Sequence, residues 1–168
     1  MRSGGSETAT TMTDGAHYDD DFFAWTQHQA MVLRTMEVAD NRFDRENVAE
    51  EIEALGRSER DAVRSQIRRI IEHLLKLAHS PVQQPRFDWM ASIAEARAAL
   101  GDKISATLRQ DAETMLPKLY EDGRDRAELG LRSHGEMQAA DNLPAECPYT
   151  IEAILRRGWY PEPPGDQP

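Results

Sequence analysis

Cysteine is nearly absent: Cys147 stands alone among 168 residues. One thiol excludes an internal disulfide framework and agrees with a reducing compartment, so the expected location is cytoplasmic. Long hydrophobic runs are missing too. No apolar stretch approaches the ~20 residues of a membrane helix. The opening "MRSGGSETATTMTDGAH" lacks the apolar segment of a secretory signal. There is no Gly-x-Ser-x-Gly elbow, no phosphate loop, no Gly-x-Gly-x-x-Gly turn and no zinc-type cysteine pairing, which excludes the enzymes that depend on them. Positive charge is in deficit: 20 Lys and Arg against 30 Asp and Glu leave a net charge of -10. That balance disfavours a broad nucleic-acid footprint and favours solubility.

What is present is helical periodicity. The pattern predicts an all-α, single-domain bundle of about five helices with one long central helix. The expected division is a disordered tail over 1–16, a helical domain over 17–160 and a C-terminal tail over 161–168. The tail is rich in Gly, Ser and Thr and has little apolar surface to bury. The first helix is capped by Asp19, Asp20 or Asp21, and Phe22, Trp25, Gln29, Val32, Leu33 and Met36 share one face. The long helix starts after Asp44 and runs to the Pro81 stop, passing through Gly56 without a break. A third carries Trp89, Ile93, Ala96, Leu100 and Ile104. A fourth is expected to open at Pro117, a favourable first position, with Leu116, Tyr120, Ala127 and Leu131 along it. "RSHGEMQAADNLPAE" reads as loop. A short last helix is capped by Thr150 and stopped by Gly158, with Trp159 and Tyr160 packing back onto the bundle. Trp25, Trp89 and Trp159 are read as core anchors.

The stretch "EEIEALGRSE" concentrates carboxylates on the long helix. Its helical projection puts Val48, Ile52, Leu55, Val63, Ile70, Leu74 and Leu77 on one apolar stripe. Glu50 and Glu53 fall on the opposite, solvated side, where Glu53 can pair with Arg57. Glu51 lies on the flank. Glu59 points into the stripe and is followed by Gln66 and His73 at seven-residue steps. This seam of Glu59, Gln66 and His73, with Gln29 as a partner from the first helix, has two readings. The favoured one is a buried polar network that fixes register, with Arg34, Arg69 or Arg97 reaching in. The other is catalytic: Glu59 and His73 as acid and base, with Glu51 nearby. No metal is expected, because the Glu-x-x-His spacing of di-metal bundles does not occur. No cofactor is expected either.

Arg57, Arg60, Arg64 and Arg68 form a basic stripe on the outer face of the long helix. It is read as a solvated face in preference to a phosphate-backbone contact. Cys147, just before the last helix, is read as a packing residue in preference to a reactive thiol.

The blocks "YDDDFFAWTQHQAMVLR", "DRENVAEEIEALGRSERDAV", "HLLKLAHSP", "ECPYT" and "WYP" follow one another from about Tyr18 to Pro161. Together they resemble the bacterial family called domain of unknown function 29, and "NVAEEIEALGRSE" is the most specific piece. The resemblance implies an all-α cytoplasmic protein of bacteria and transfers no activity, substrate or catalytic residue. It places Asn47, Glu50, Glu51, Glu53, Gly56, Arg57, Ser58, Glu59 and His73 in the family's pattern. The long N-terminal tail and Leu77, where an aromatic is expected, depart from it.

The functional expectation is an interaction module whose partner is a protein. Self-association is included, through helix faces that five helices leave uncovered. A hydrolase using Glu59 and His73 is the alternative. A nucleic-acid-associated, antitoxin-like regulator is a third reading that rests on the arginine stripe alone.

Overall fold

A computed structural model describes residues 16–40, 42–101 and 103–165. The expected disordered tail therefore lies, apart from Ala16, outside the described residues. Six helices and no strand occur among them: α1 (Phe22–Thr35), α2 (Arg45–His79), α3 (Arg86–Leu100), α4 (Ala106–Ser133), α5 (Met137–Asp141) and α6 (Ile151–Leu155). The protein is an all-α bundle built on one 35-residue rod.

Local chemistry sets the helix ends. Asp21 accepts from the Ala24 amide at 2.9 Å and, through its other oxygen, from the Thr107 amide at 3.4 Å. One carboxylate thus serves the first turns of both α1 and α4, and these contacts hold its pKa below the usual carboxylate range despite burial. Asp44 caps α2 by accepting from the Asn47 amide at 3.3 Å, and the Asn47 side chain returns a 2.6 Å bond to the same carboxylate. Pro81 follows the end of α2, where no further helical amide is available.

The core forms around the second half of the rod. Val63, Ile67, Ile70, Ile71, Leu74, Leu75 and Leu77 of α2 pack with Ile93 and Ala96 of α3, Leu108, Leu119 and Leu131 of α4, and Ile154 of α6. α4 crosses the rod closely at Gly123, where a Cβ would stand 2.9 Å from Ile71. α6 and the chain after it are held from beneath by Arg97. Its side chain is buried, and it donates to the carbonyls of Ile154 at 2.8 Å, Ala153 at 3.2 Å and Trp159 at 2.8 Å. It also lies 5.6 Å from the centre of the Tyr160 ring. The partial negative charge of the α6 C-terminus and the ring face compensate a guanidinium that has no carboxylate partner among the described residues. Trp159 and Tyr160 do pack against the core.

Several expectations are corrected. The stretch "RSHGEMQAADNLPAE", read as loop, contains the five-residue α5, whose Ala139 and Ala140 are buried, so the described residues hold six helices where about five were expected. α4 opens at Ser105, whose hydroxyl accepts from the Leu108 amide, and Pro117 lies inside the helix. The proline ring is exposed, while Leu108 and Ala112 before it and Leu119 and Tyr120 after it are buried. Packing on both sides carries the helix across the missing amide, at an intrinsic cost of about 3 kcal/mol. Ile104 lies beyond the end of α3. α6 ends at Leu155, and Gly158, with φ at 73°, turns the chain three residues later.

Candidate interaction face

The fate of the opening carboxylates begins with α1. Arg34 bonds Glu46 at 3.1 Å, Glu50 at 3.4 Å and Glu53 at 2.8 Å. Arg57 adds Glu50 at 2.7 Å and Glu53 at 3.6 Å. Glu50 and Glu53 therefore do not lie on an empty solvated side. They line one flank of an antiparallel α1–α2 hairpin, clamped by two arginines. The Arg34 bond is the chief reason the Glu53 pKa is held low.

The two helices touch along small residues. Thr26 and Ala30 are the buried positions of α1, and Ala49, Gly56 and Val63 recur at seven-residue steps on α2. A Cβ at Gly56 would stand 2.0 Å from Thr26 Oγ1. Only glycine lets the backbones approach this closely. The spacing of small residues was the sequence signal for this interface.

Larger apolar residues form the opposite flank. At about 100° per residue, Phe22, Trp25, Gln29, Val32 and Met36 project to one side of the Thr26 line. On α2, Val48, Ile52, Leu55 and Glu59 project to one side of the Gly56 line. For antiparallel helices whose Arg34 and Glu50 share a flank, these two sets share the other. Both sets are spaced alternately three and four residues apart, the rhythm of a coiled-coil seam. This flank is open: Leu55 is 57% exposed and Tyr18 56%, and Val32, Met36 and Val48 are also exposed. Phe22, Trp25 and Ile52 are half-buried on it, so the expectation that Trp25 anchors the core is corrected. Trp89 and Trp159 pack against the core, whereas Trp25 belongs to an exterior cluster. Its ring lies 4.9 Å from Tyr18 and 6.0 Å from Phe22, with Tyr18 edge-on to both.

The polar seam divides along the rod. Glu59 and Gln29 are half-buried on the open flank. Neither makes a side-chain hydrogen bond or ion pair with the described residues, so the expected Gln29–Glu59 pairing does not form. Further down, α3 covers the rod on the same side, tied by Arg69 to Ser92 at 2.9 Å. There Gln66 Oε1 and His73 Nδ1 are buried without a hydrogen-bond partner among the described residues. Each such atom costs about 1–3 kcal/mol. Burial pushes the His73 pKa below 6.5, Lys76 and Arg69 add to this, and Glu72 opposes it. Arg97, once a candidate partner, faces α6 instead, and Arg34 faces the carboxylate flank.

An unbroken α2 also settles distances along its axis. Glu59 and His73 are fourteen residues apart, about 21 Å, and Glu51 and His73 about 33 Å. An acid and a base that act on one reacting centre must both reach it. These residues do not share such a centre. None of the surface clefts described is lined by them. A groove of about 530 Å³ lies beside Phe23, Thr107, Gln110 and Asp111, and one of about 620 Å³ runs along the α1–α2 turn. Among the described residues no group of three His, Cys, Asp or Glu is arranged to hold a metal ion. No helix among them is long and apolar enough to cross a membrane.

The arginine stripe does not form a free outer face. Arg57 is engaged as above, and Arg60 meets Asp61 at 3.0 Å. Arg64 makes a two-pronged bond to Asp111 of α4, at 2.8 and 2.6 Å, while Arg68 reaches Asp122 at 3.4 Å. The last two tie α4 to the rod. Cys147 donates its thiol to the Tyr149 carbonyl at 3.3 Å, and burial pushes its pKa up, which works against thiolate reactivity.

Comparison with known proteins gives two findings. Residues 17–160 match the family model described as "Domain of unknown function DUF29". A crystal structure of an alpha-helical protein of unknown function from Rhodospirillum rubrum superposes with a TM-score of 0.76 at 24% identity, over 86% of this chain and 92% of that one. It shares the fold. No curated protein matches the chain.

Proposed function

Since the chain belongs to the DUF29 family, whose description names no activity, we propose that it is a cytoplasmic, non-catalytic interaction module that docks a protein through the open flank of its α1–α2 hairpin. The observation that carries this reading is the doubled three-and-four spacing on two adjacent helices, with Val32, Met36, Val48 and Leu55 exposed and the rest half-buried. Scattered exposed apolar residues are ordinary, but a contiguous apolar strip with regular spacing marks an interaction surface. The rest of the molecule supports the strip: Arg34 and Arg57 fix the hairpin's far flank, and Asp21 joins its start to α4.

A photo-crosslinking amino acid placed at Leu55 tests this inside the producing cell. A discrete protein adduct is expected there and not at Phe87, which is 79% exposed but lies outside the hairpin. Equal or no crosslinking at the two positions would refute the reading.

A further inference from the structure

We infer that the missing occupant of this flank is a basic amphipathic helix of a partner protein, a deepening that rests on the interaction reading above. Three observations converge on it. The first is shape. Two neighbouring helices with the same three-and-four rhythm on one flank present the hole lattice that a third helix fills with its own knobs. α1 spans fourteen residues, about 21 Å, which offers four turns of contact.

The second is charge. Glu59 sits in the strip and Glu51 at its edge, both without an ionic partner among the described residues. The hairpin's cations are engaged elsewhere: Arg34 and Arg57 hold Glu50 and Glu53, and Arg45 donates to the Met36 carbonyl at 2.7 Å. A binding helix therefore meets apolar surface with carboxylates beside it and no free guanidinium to repel its lysines and arginines. Docking an apolar helix that brings no cation would desolvate Glu59 unpaired, which is strongly unfavourable. Cations flanking the partner's apolar stripe remove that penalty and set its register.

The third is the poor fit of two other occupants. A second copy of this chain would bring its own Glu59 and Glu51 and the same charge of -10 to the contact. The fifteen residues before Ala16 contain no aromatic or branched aliphatic side chain, and Met1 and Met12, eleven residues apart, are too few to fill the strip.

The test uses two designed eighteen-residue helical peptides with the same leucine stripe, one flanked by Lys and Arg, the other by Glu. Binding to the full chain is read by calorimetry and Trp25 fluorescence, with variant folding checked by circular dichroism. The basic peptide should bind and the acidic one should not. Glu59→Lys should weaken the basic peptide about tenfold, equivalent to ~1.4 kcal/mol. Leu55→Asp should abolish binding although it adds negative charge. Retained or tighter binding to Leu55→Asp would mean attraction to general acidity and would overturn the inference. Equal binding of both peptides, or of neither, would overturn it too. A wild-type dimer in sedimentation that Leu55→Asp dissociates would make a second copy the occupant. That result sinks the basic-helix assignment and leaves the docking face standing, whereas absence of a specific crosslink at Leu55 sinks both.

Discussion

The upper and lower halves of α2 carry the same rhythm and meet different surroundings. Below Val63 the rod is enclosed by α3, α4 and α6, and Ile67, Ile70, Ile71, Leu74 and Leu75 are inaccessible to solvent. Above it, α1 covers a line of small residues and clamps one flank, while Val48 and Leu55 on the other remain exposed. In the lower half α3 occupies the side of the rod that bears Gln66 and His73. In the upper half no helix among the described residues occupies the side that bears Ile52 and Glu59. The difference teaches that periodicity reports which residues can pack, and that the supply of neighbouring helices decides whether they do.

The comparison can be broken most severely at Arg97. Arg97→Ala removes three bonds to carbonyls and leaves the end of α6 unsatisfied, so a loss of about 4 kcal/mol is expected in denaturant unfolding. Trp159 fluorescence should shift with it, and the hairpin should keep its helicity. Next comes Gly56→Ala. At an exposed helical site this change gains up to ~1 kcal/mol; here the new methyl meets Thr26, and a loss of about 2 kcal/mol is expected. Adding Thr26→Ala, which deletes the Oγ1 at 2.0 Å, should recover part of it. No recovery would place the strain outside the helix crossing.

A smaller effect sharpens the account of the lower half. His73 and His79 are both half-buried, and burial pushes their imidazole pKa values below 6.5. Each folded imidazole resists a proton that the unfolded chain accepts. Their contribution is complete above pH 6.5 and is lost as pH falls below it, toward the folded values. Asp21, Asp122 and Glu53 have pKa values lowered from 3.8, 3.8 and 4.5, so their contributions are lost at more acidic pH. Stability measured between pH 7.5 and 5.5 should therefore fall. His73→Gln should flatten part of that slope, and an unchanged slope would contradict the burial argument.

Much of this architecture was legible from single residues. Asp44 and Thr150 announced their helices because a short polar side chain before an apolar period has one local use, the cap. Gly56 did not break α2, and the glycine proved to be the crossing point with α1. Pro117 marks a favoured first position by local chemistry, yet packing on either side sustains α4 through it. α5 was invisible because five residues carry too little period, and the burial of two alanines, a tertiary effect, stabilises it. The candidate face is legible in the sequence as two apolar stripes, one on α1 and one on α2, but not as a solvent-facing one. Its exposure depends on which flank α1 takes, and that is set by the Ala49–Gly56–Val63 line and by Arg34. The small-residue line is written in α2 itself, whereas the Arg34 clamp, which closes over twelve to nineteen residues of sequence, is a long-range fact that α2 alone does not carry.

The smallest expected effect is also the most direct test of the central claim that the upper strip is open while the lower one is core. Equilibrium urea unfolding of Leu55→Asp should give a stability within about 0.5 kcal/mol of the parent chain, beside a loss of about 3 kcal/mol for Leu74→Ala in the same assay. A loss at Leu55→Asp as large as that at Leu74→Ala would mean that the strip is already buried in the free protein, and the account of an open docking flank would be contradicted.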